Sequence, residues 1–168
     1  MSNVIETGVS SEQMTEVYAV ATLMRTCNLT PDFIDAAVQR ARNYEGTVDL
    51  MLMWRDERDP EERDAIIADI QDAIDDGIER PNRVTQKPYI RFEKLESIAQ
   101  KIQAFKQELR NKVDEWGGIS LLATKTGIPQ PSLSRFFNSA SMPRRTTLYK
   151  IANALNLSED EIATDWIR

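Results

Sequence analysis

The sequence predicts an all-α protein built of two parts, and three observations predict it. Apolar residues recur at steps of three and four along most of the chain, the period of a helix with one buried face. Thr30-Pro31 sets a polar cap before a proline where one helix starts and Asp59-Pro60 opens another with acids, while Gly77 and Gly127 stand where helices stop. Residues 77–91, GIERPNRVTQKPYIR, interrupt the helical pattern, with Pro81, Asn82 and Pro88 marking a domain boundary. The expected parts are an acidic helical module over residues 1–80, a linker or extended arm over 81–94, and a second helical domain over 95–168.

Ser11–Cys27 opens the first part and places Met14, Val17, Tyr18, Ala21 and Met24 on one face. Cys27 lies at the end of this apolar stretch with no histidine to activate it, and is expected as a core thiol. The helix opened by Thr30 carries Phe33, Ile34, Ala37 and Val38 before Asn43 and Gly46. Thr47–Arg55 is apolar nearly all round, through Val48, Leu50, Met51, Leu52, Met53 and Trp54, so it is expected at the centre of the core. Asp59-Pro60-Glu61-Glu62 starts a fourth helix with acids at the positive end of the helix dipole. Its expected buried face is Ile66, Ile67, Ile70, Ala73 and Ile74, and Gly77 is expected to end it. The acids of Asp56–Glu79 read as a solvated face over that isoleucine stripe, with a partner-binding or DNA-mimicking surface as the alternative. Asp72, Asp75, Asp76 and Gly77 lack the alternate spacing of a calcium loop.

Beyond the break, Leu95, Ile98, Ile102, Phe105, Leu109 and Val113 repeat at helical steps over about five turns. The part before about Gln103 is available to bridge to the acidic module or to a second subunit. Then comes Gly117–Leu157, in which two short helical patterns meet at a glycine. Ala123 is small enough for a second helix to cross above it, and Gly127 can take the positive φ of a sharp turn. Leu122, Ile128, Leu133 and Phe136 supply the apolar face that holds the two helices together.

This spacing is that of a helix-turn-helix, and at these residues the stretch resembles the lambda-repressor-like (Cro/repressor-type) family. That family packs about five helices, the second and third forming the motif. Pro143, Thr147, Leu148, Ile151, Ala152 and Leu155 resemble its fourth helix and Ser158–Ile167 its fifth, so the resemblance covers roughly Leu95–Arg168. The string GGISLLATKTGIPQPSLSRFF is also similar to the antidote proteins of bacterial addiction modules, which use the same fold. Thr126 departs from the family, which usually shows an apolar or long side chain there. Pro131, inside the recognition segment, is a second departure that the first turn of a helix tolerates.

The resemblance implies that Pro129–Asn138 contacts DNA. Gln130 lies where the family's principal adenine-reading glutamine lies, and its amide can pair with adenine N6 and N7. Pro131, Ser132, Ser134, Arg135 and Asn138 complete the expected base-contacting set. The alternative is that Gln130 only caps the helix and Arg135 is a solvated charge. Pro143-Arg144-Arg145-Thr146-Thr147 opens the next helix, where free backbone N–H groups and two arginines favour a phosphate. Ser120, with Gly118 as its helix cap, has the equivalent place one helix earlier, and Lys125 and Lys150 complete the expected phosphate contacts.

A net charge of −6 over 168 residues is unusual for a DNA binder, so its distribution matters. Residues 1–95 carry −8 and residues 96–168 carry +2. Within Gly117–Ile151 there is no Asp or Glu, while Lys125, Arg135, Arg144, Arg145 and Lys150 are present, as a surface facing a polyanion requires.

Catalysis is not expected. The chain has no histidine, which removes the commonest general base and mixed His/Cys zinc sites, and it has no phosphate-binding G-x-x-x-x-G-K-S/T segment. No cofactor or metal is implied, and Trp54, Trp116 and Trp166 read as core or interface anchors. A single cysteine forbids an intrachain disulfide and fits a reducing cytoplasm. No signal-peptide pattern opens the sequence, and no apolar run approaches the ~20 residues that span a bilayer. The expected protein is a cytoplasmic regulator of transcription that binds double-stranded DNA and associates with the bacterial nucleoid when bound. It would act as a repressor, a homodimer on a palindromic operator. The alternative is an antitoxin whose acidic N-terminal module binds a toxin while the helix-turn-helix controls its own operon.

Overall fold

Ser10 fixes the start of the first helix, because its hydroxyl accepts from the Gln13 N–H at 3.1 Å while Gln13 Oε1 accepts from the Ser10 N–H at 2.8 Å. The computed structural model describes residues 8–78 and 92–158, the side chains of 92–95 apart. Among these residues all regular structure is helical. The N-terminal helices are α1 (Ser11–Thr26), α2 (Pro31–Asn43), α3 (Glu45–Asp56) and α4 (Pro60–Ile78). The C-terminal helices are α5 (Phe92–Trp116), α6 (Ile119–Thr126), α7 (Gln130–Asn138) and α8 (Arg145–Leu155). The chain divides into two compact units, Met1–Pro81 and Asn82–Arg168.

In the first unit side chains set most of the helix starts. Thr30 Oγ1 accepts from the Phe33 N–H at 3.3 Å ahead of Pro31, and Asp59 Oδ1 accepts from the N–H groups of Glu61 and Glu62 at 2.8 and 3.3 Å. The core joins Val17, Val20, Ala21 and Met24 of α1 to Phe33, Ile34, Ala37 and Ala41 of α2. Val48, Met51 and Trp54 of α3 and Ile66, Ile67, Ile70 and Ile74 of α4 complete it. Removing each of the larger side chains from water is worth roughly 1.5–3 kcal/mol, which is what holds four short helices together. As its composition predicts, α3 is central and touches α1, α2 and α4. Its Met53 nevertheless points outward, 56% exposed.

Four expectations for this unit are overturned. Cys27 is not a core thiol; it caps the C-terminus of α1, where the helix has ended, and is exposed. Tyr18 is outside the core because its ring lies under Arg42, whose guanidinium donates to the Tyr18 hydroxyl at 2.6 Å. Gly77 does not end α4. The helix runs through it to Ile78, and its bare Cα lets the Arg40 side chain cross there, since a Cβ would come within 2.9 Å of Arg40 Cδ. Arg40 in turn donates to the Ala73 carbonyl at 2.8 Å and lies 4.7 Å from the Tyr44 ring centroid, so it clamps α2 to α4. The acidic face is also not wholly solvated, because Asp75 is buried and accepts from Gln71 Nε2 at 3.0 Å.

The second unit has its own core of Leu109, Val113, Leu122, Ile128, Leu133, Leu148 and Ile151, with Phe105, Trp116, Ala123, Phe136 and Phe137 packed against it. The 25-residue α5 forms one wall and touches α6 and α7, while α8 touches α6. The expected fifth helix at Ser158–Ile167, including Trp166, lies outside the described residues from Glu159 onward, as do residues 81–91 of the expected linker over 81–94, whose last three residues belong instead to α5. Among the described residues no helix is long and apolar enough to cross a membrane.

Candidate nucleic-acid interface

Two glycines make the turns on either side of α6, the first from α5 and the second into α7. Gly118 is the N-cap of α6 with φ 93°, and Gly127 ends it with φ 73° and ψ 4°, the left-handed region that a side chain would strain. Thr126 completes the second turn: its hydroxyl donates to the Leu122 carbonyl at 2.7 Å and accepts from the Ile128 N–H at 3.2 Å. The residue that departs from the family pattern therefore closes the corner by hydrogen bonding instead of apolar packing. Ile128 and Leu133 are then buried directly after the turn, as the spacing predicts.

The nine residues of α7 sort into two faces. At about 100° per residue, Gln130, Ser134, Asn138, Pro131 and Arg135 fall within an arc of roughly 140°, while Ser132, Phe136, Leu133 and Phe137 occupy the opposite half. Burial follows this division. Gln130, Arg135 and Asn138 are exposed, Pro131 and Ser134 are half-buried, and Leu133 is fully buried. Ser132 corrects the expected base-contacting set. Its Oγ is shielded from solvent and has no hydrogen-bond partner, because Ser132 shares the inward stripe with Phe136. Pro131 sits in the first turn of α7, where its missing N–H costs nothing. Gln130 is not isolated on the outer face, for Ser120 of α6 donates its hydroxyl to Gln130 Oε1 at 3.2 Å.

The helix starts of this unit differ from those of α1, α2 and α4. No side chain caps α6, α7 or α8, whose N-cap residues are Gly118, Pro129 and Arg144. The positive end of each helix dipole favours an anion at these starts. Arg145 is exposed and Arg144, Thr146 and Thr147 half-buried at the start of α8, with Thr146 and Thr147 in its first turn. From Trp116 to Ser158 the sequence has no acidic residue to oppose such an anion. Lys125 and Lys150 are placed differently from the rest of the expected phosphate set. They are exposed, but line one cavity of about 580 Å³ with Trp116, Thr126, Asn153 and Ala154, toward the C-terminal ends of α6 and α8.

Sequence reasoning missed Lys106. It lies on the inner face of α5, 1% exposed, and its Nζ donates to the carbonyl oxygen of Ser139, the residue that ends α7, at 2.9 Å. Burial pushes its pKa down to about 8. The signal was present in the spacing, because Lys106 stands four residues after Ile102 and three before Leu109, on the apolar stripe itself.

Residues 109–162 match the model of the helix-turn-helix family, in its lambda-repressor-like class. The C-terminal unit therefore carries a lambda-repressor-like helix-turn-helix domain, with α6 and α7 as the motif and α7 as its second helix. This is a family of DNA-binding transcription regulators and not generally of enzymes, and the match supports a DNA-binding regulator of that type. No curated protein and no solved structure matches the chain.

Proposed function

We propose that this protein represses transcription as a homodimer on a palindromic operator, reading bases through the outer face of α7. The observation that carries the reading is the polar arc of Gln130, Ser134, Arg135 and Asn138, opposite a helix face buried by Leu133. Gln130 is held at the first position of α7 and presents its amide to a base edge, where a bidentate contact to adenine is available. Ser120, Arg144, Arg145, Thr146 and Thr147 stand at the uncapped starts of α6 and α8 and take phosphates on either side. Lys125 and Lys150 add positive charge farther out. Residues 1–80, with −8 on residues 1–95, serve as the oligomerisation or partner module and stay off the DNA.

One such domain covers one half-site, so two-fold pairing of subunits calls for a palindrome with half-sites about 10–10.5 base pairs apart, or a multiple of that spacing. Selection of bound duplexes from a random pool by the full-length protein tests this. An enriched inverted repeat supports the reading. Enrichment of a single unrepeated site would remove the dimer, and absence of any enriched sequence would remove base reading altogether.

A further inference from the structure

The recognition helix is gripped at both ends, and the grip at its C-terminal end is made by a residue that stability alone does not explain. Beyond its 2.9 Å bond to the Ser139 carbonyl, Lys106 Nζ lies 3.4 Å from Ser139 Oγ and 4.6 Å from the centroid of the Phe136 ring. One turn along α5, Arg110 lies 5.6 Å from the Phe137 ring and is held in place by Asp114 at 3.0 Å. Phe136 and Phe137 themselves meet edge to face at 5.0 Å. Two cations of α5 thus close over two rings of the last turn of α7, and one of them also bonds the residue that ends it.

No carboxylate pairs with Lys106 among the described residues. Burying an ammonium group with a carbonyl and a ring in place of a counter-ion is unfavourable, and its lowered pKa reports that penalty. Its neighbours along the stripe, Ile102, Leu109 and Val113, are apolar, and a methionine would fill the same space without the cost. What the ammonium supplies and a methionine lacks is a directed donor. Bound to a carbonyl at one end of a nine-residue helix whose other end is tied through Gln130 to Ser120, it fixes how far the helix projects and how it is rolled.

From this geometry, and resting on the reading of α7 as the base-contacting helix, we infer that Lys106 is a positioning residue that sets the orientation in which α7 meets DNA. It touches no base. It acts through Ser139 and Phe136.

The test compares the full-length protein with Lys106→Met and Lys106→Arg on two duplexes, the best selected sequence and a scrambled one. Thermal melting and hydrogen exchange of the Ser139 amide are followed alongside. Lys106→Met is expected to melt no lower than the unaltered protein and to exchange Ser139 faster, since that N–H bonds to Arg135 at the freed helix end. Its preference for the selected duplex should fall by about tenfold, while binding to the scrambled duplex is unchanged. Lys106→Arg, which keeps charge and donors, should retain more of the preference than methionine does. An unchanged preference in folded Lys106→Met would overturn the inference. So would a marked loss of melting temperature in that variant, which would make the lysine a stability element. If the unaltered protein itself shows no preference, base reading by α7 is wrong, and the positioning role falls with it even though the exchange change at Ser139 persists.

Discussion

The Ser120 hydroxyl donates to Gln130 Oε1 at 3.2 Å, joining the first turn of α6 to the first residue of α7. With one lone pair of the oxygen engaged, the side-chain amide is held in a defined plane before DNA arrives, and its Nε2 is left to donate. Gln130→Ala is expected to cost ~1–3 kcal/mol on the best duplex and to relax preference at one base pair. Ser120→Ala should relax the same base pair by less, about 0.5–1.5 kcal/mol, and add little once Gln130 is gone. Competition binding across single-base variants of the duplex measures both. A uniform loss over all sequences would make Gln130 a capping or phosphate residue instead.

The arginine pair at the start of α8 is expected to act without regard to sequence. Arg144→Ala or Arg145→Ala should weaken selected and random duplexes alike and flatten the slope of log affinity against log salt by roughly one. Affinities at several salt concentrations decide the matter. A retained slope with altered base preference would place these side chains in the groove.

Much of this interface is legible in the sequence because it is local. Gly127 must adopt positive φ to end α6, Ile128 must be buried once it does, and the cap at Thr30 and the helix start at Asp59-Pro60 are read from two or three adjacent residues. What escapes is tertiary. Gly77 lies inside α4 instead of ending it, and its missing Cβ leaves the space that Arg40, on another helix, uses. Cys27 follows the apolar pattern of α1 but falls one residue past its end, where periodicity no longer decides which way a side chain faces. Ser132 resembles its polar neighbours in composition and differs only in angle, and Lys106 counts as one more positive charge until its place on the inner stripe of α5 is noticed.

The depressed pKa of Lys106 carries a sign that can be checked. Its folded value of about 8 lies below the 10.5 of an ordinary lysine, so between those two values the unfolded chain binds the proton that the folded chain has released. Stability should therefore rise with pH over that window, by on the order of 2 kcal/mol. Denaturant unfolding of the full-length protein at pH 7.5 and pH 10 should show the rise, and Lys106→Met should lack that part of it. Equal pH dependence in the two proteins would mean that the ammonium is not penalised in the folded state.

The division of labour between the two units is the central claim, and duplex binding by the separated halves tests it most directly. Residues 1–95 carry −8, whereas the region from Trp116 to Ser158 has no acid and presents the outer face of α7 and helix starts that no side chain caps. A fragment beginning near Arg91 is expected to bind labelled duplex DNA with the base preference of the whole protein. Any loss of affinity in that fragment should be accompanied by loss of the dimer in sedimentation. Residues 1–80 should not bind at all. Duplex binding by the N-terminal fragment, or none by a folded and dimeric C-terminal one, would contradict the account.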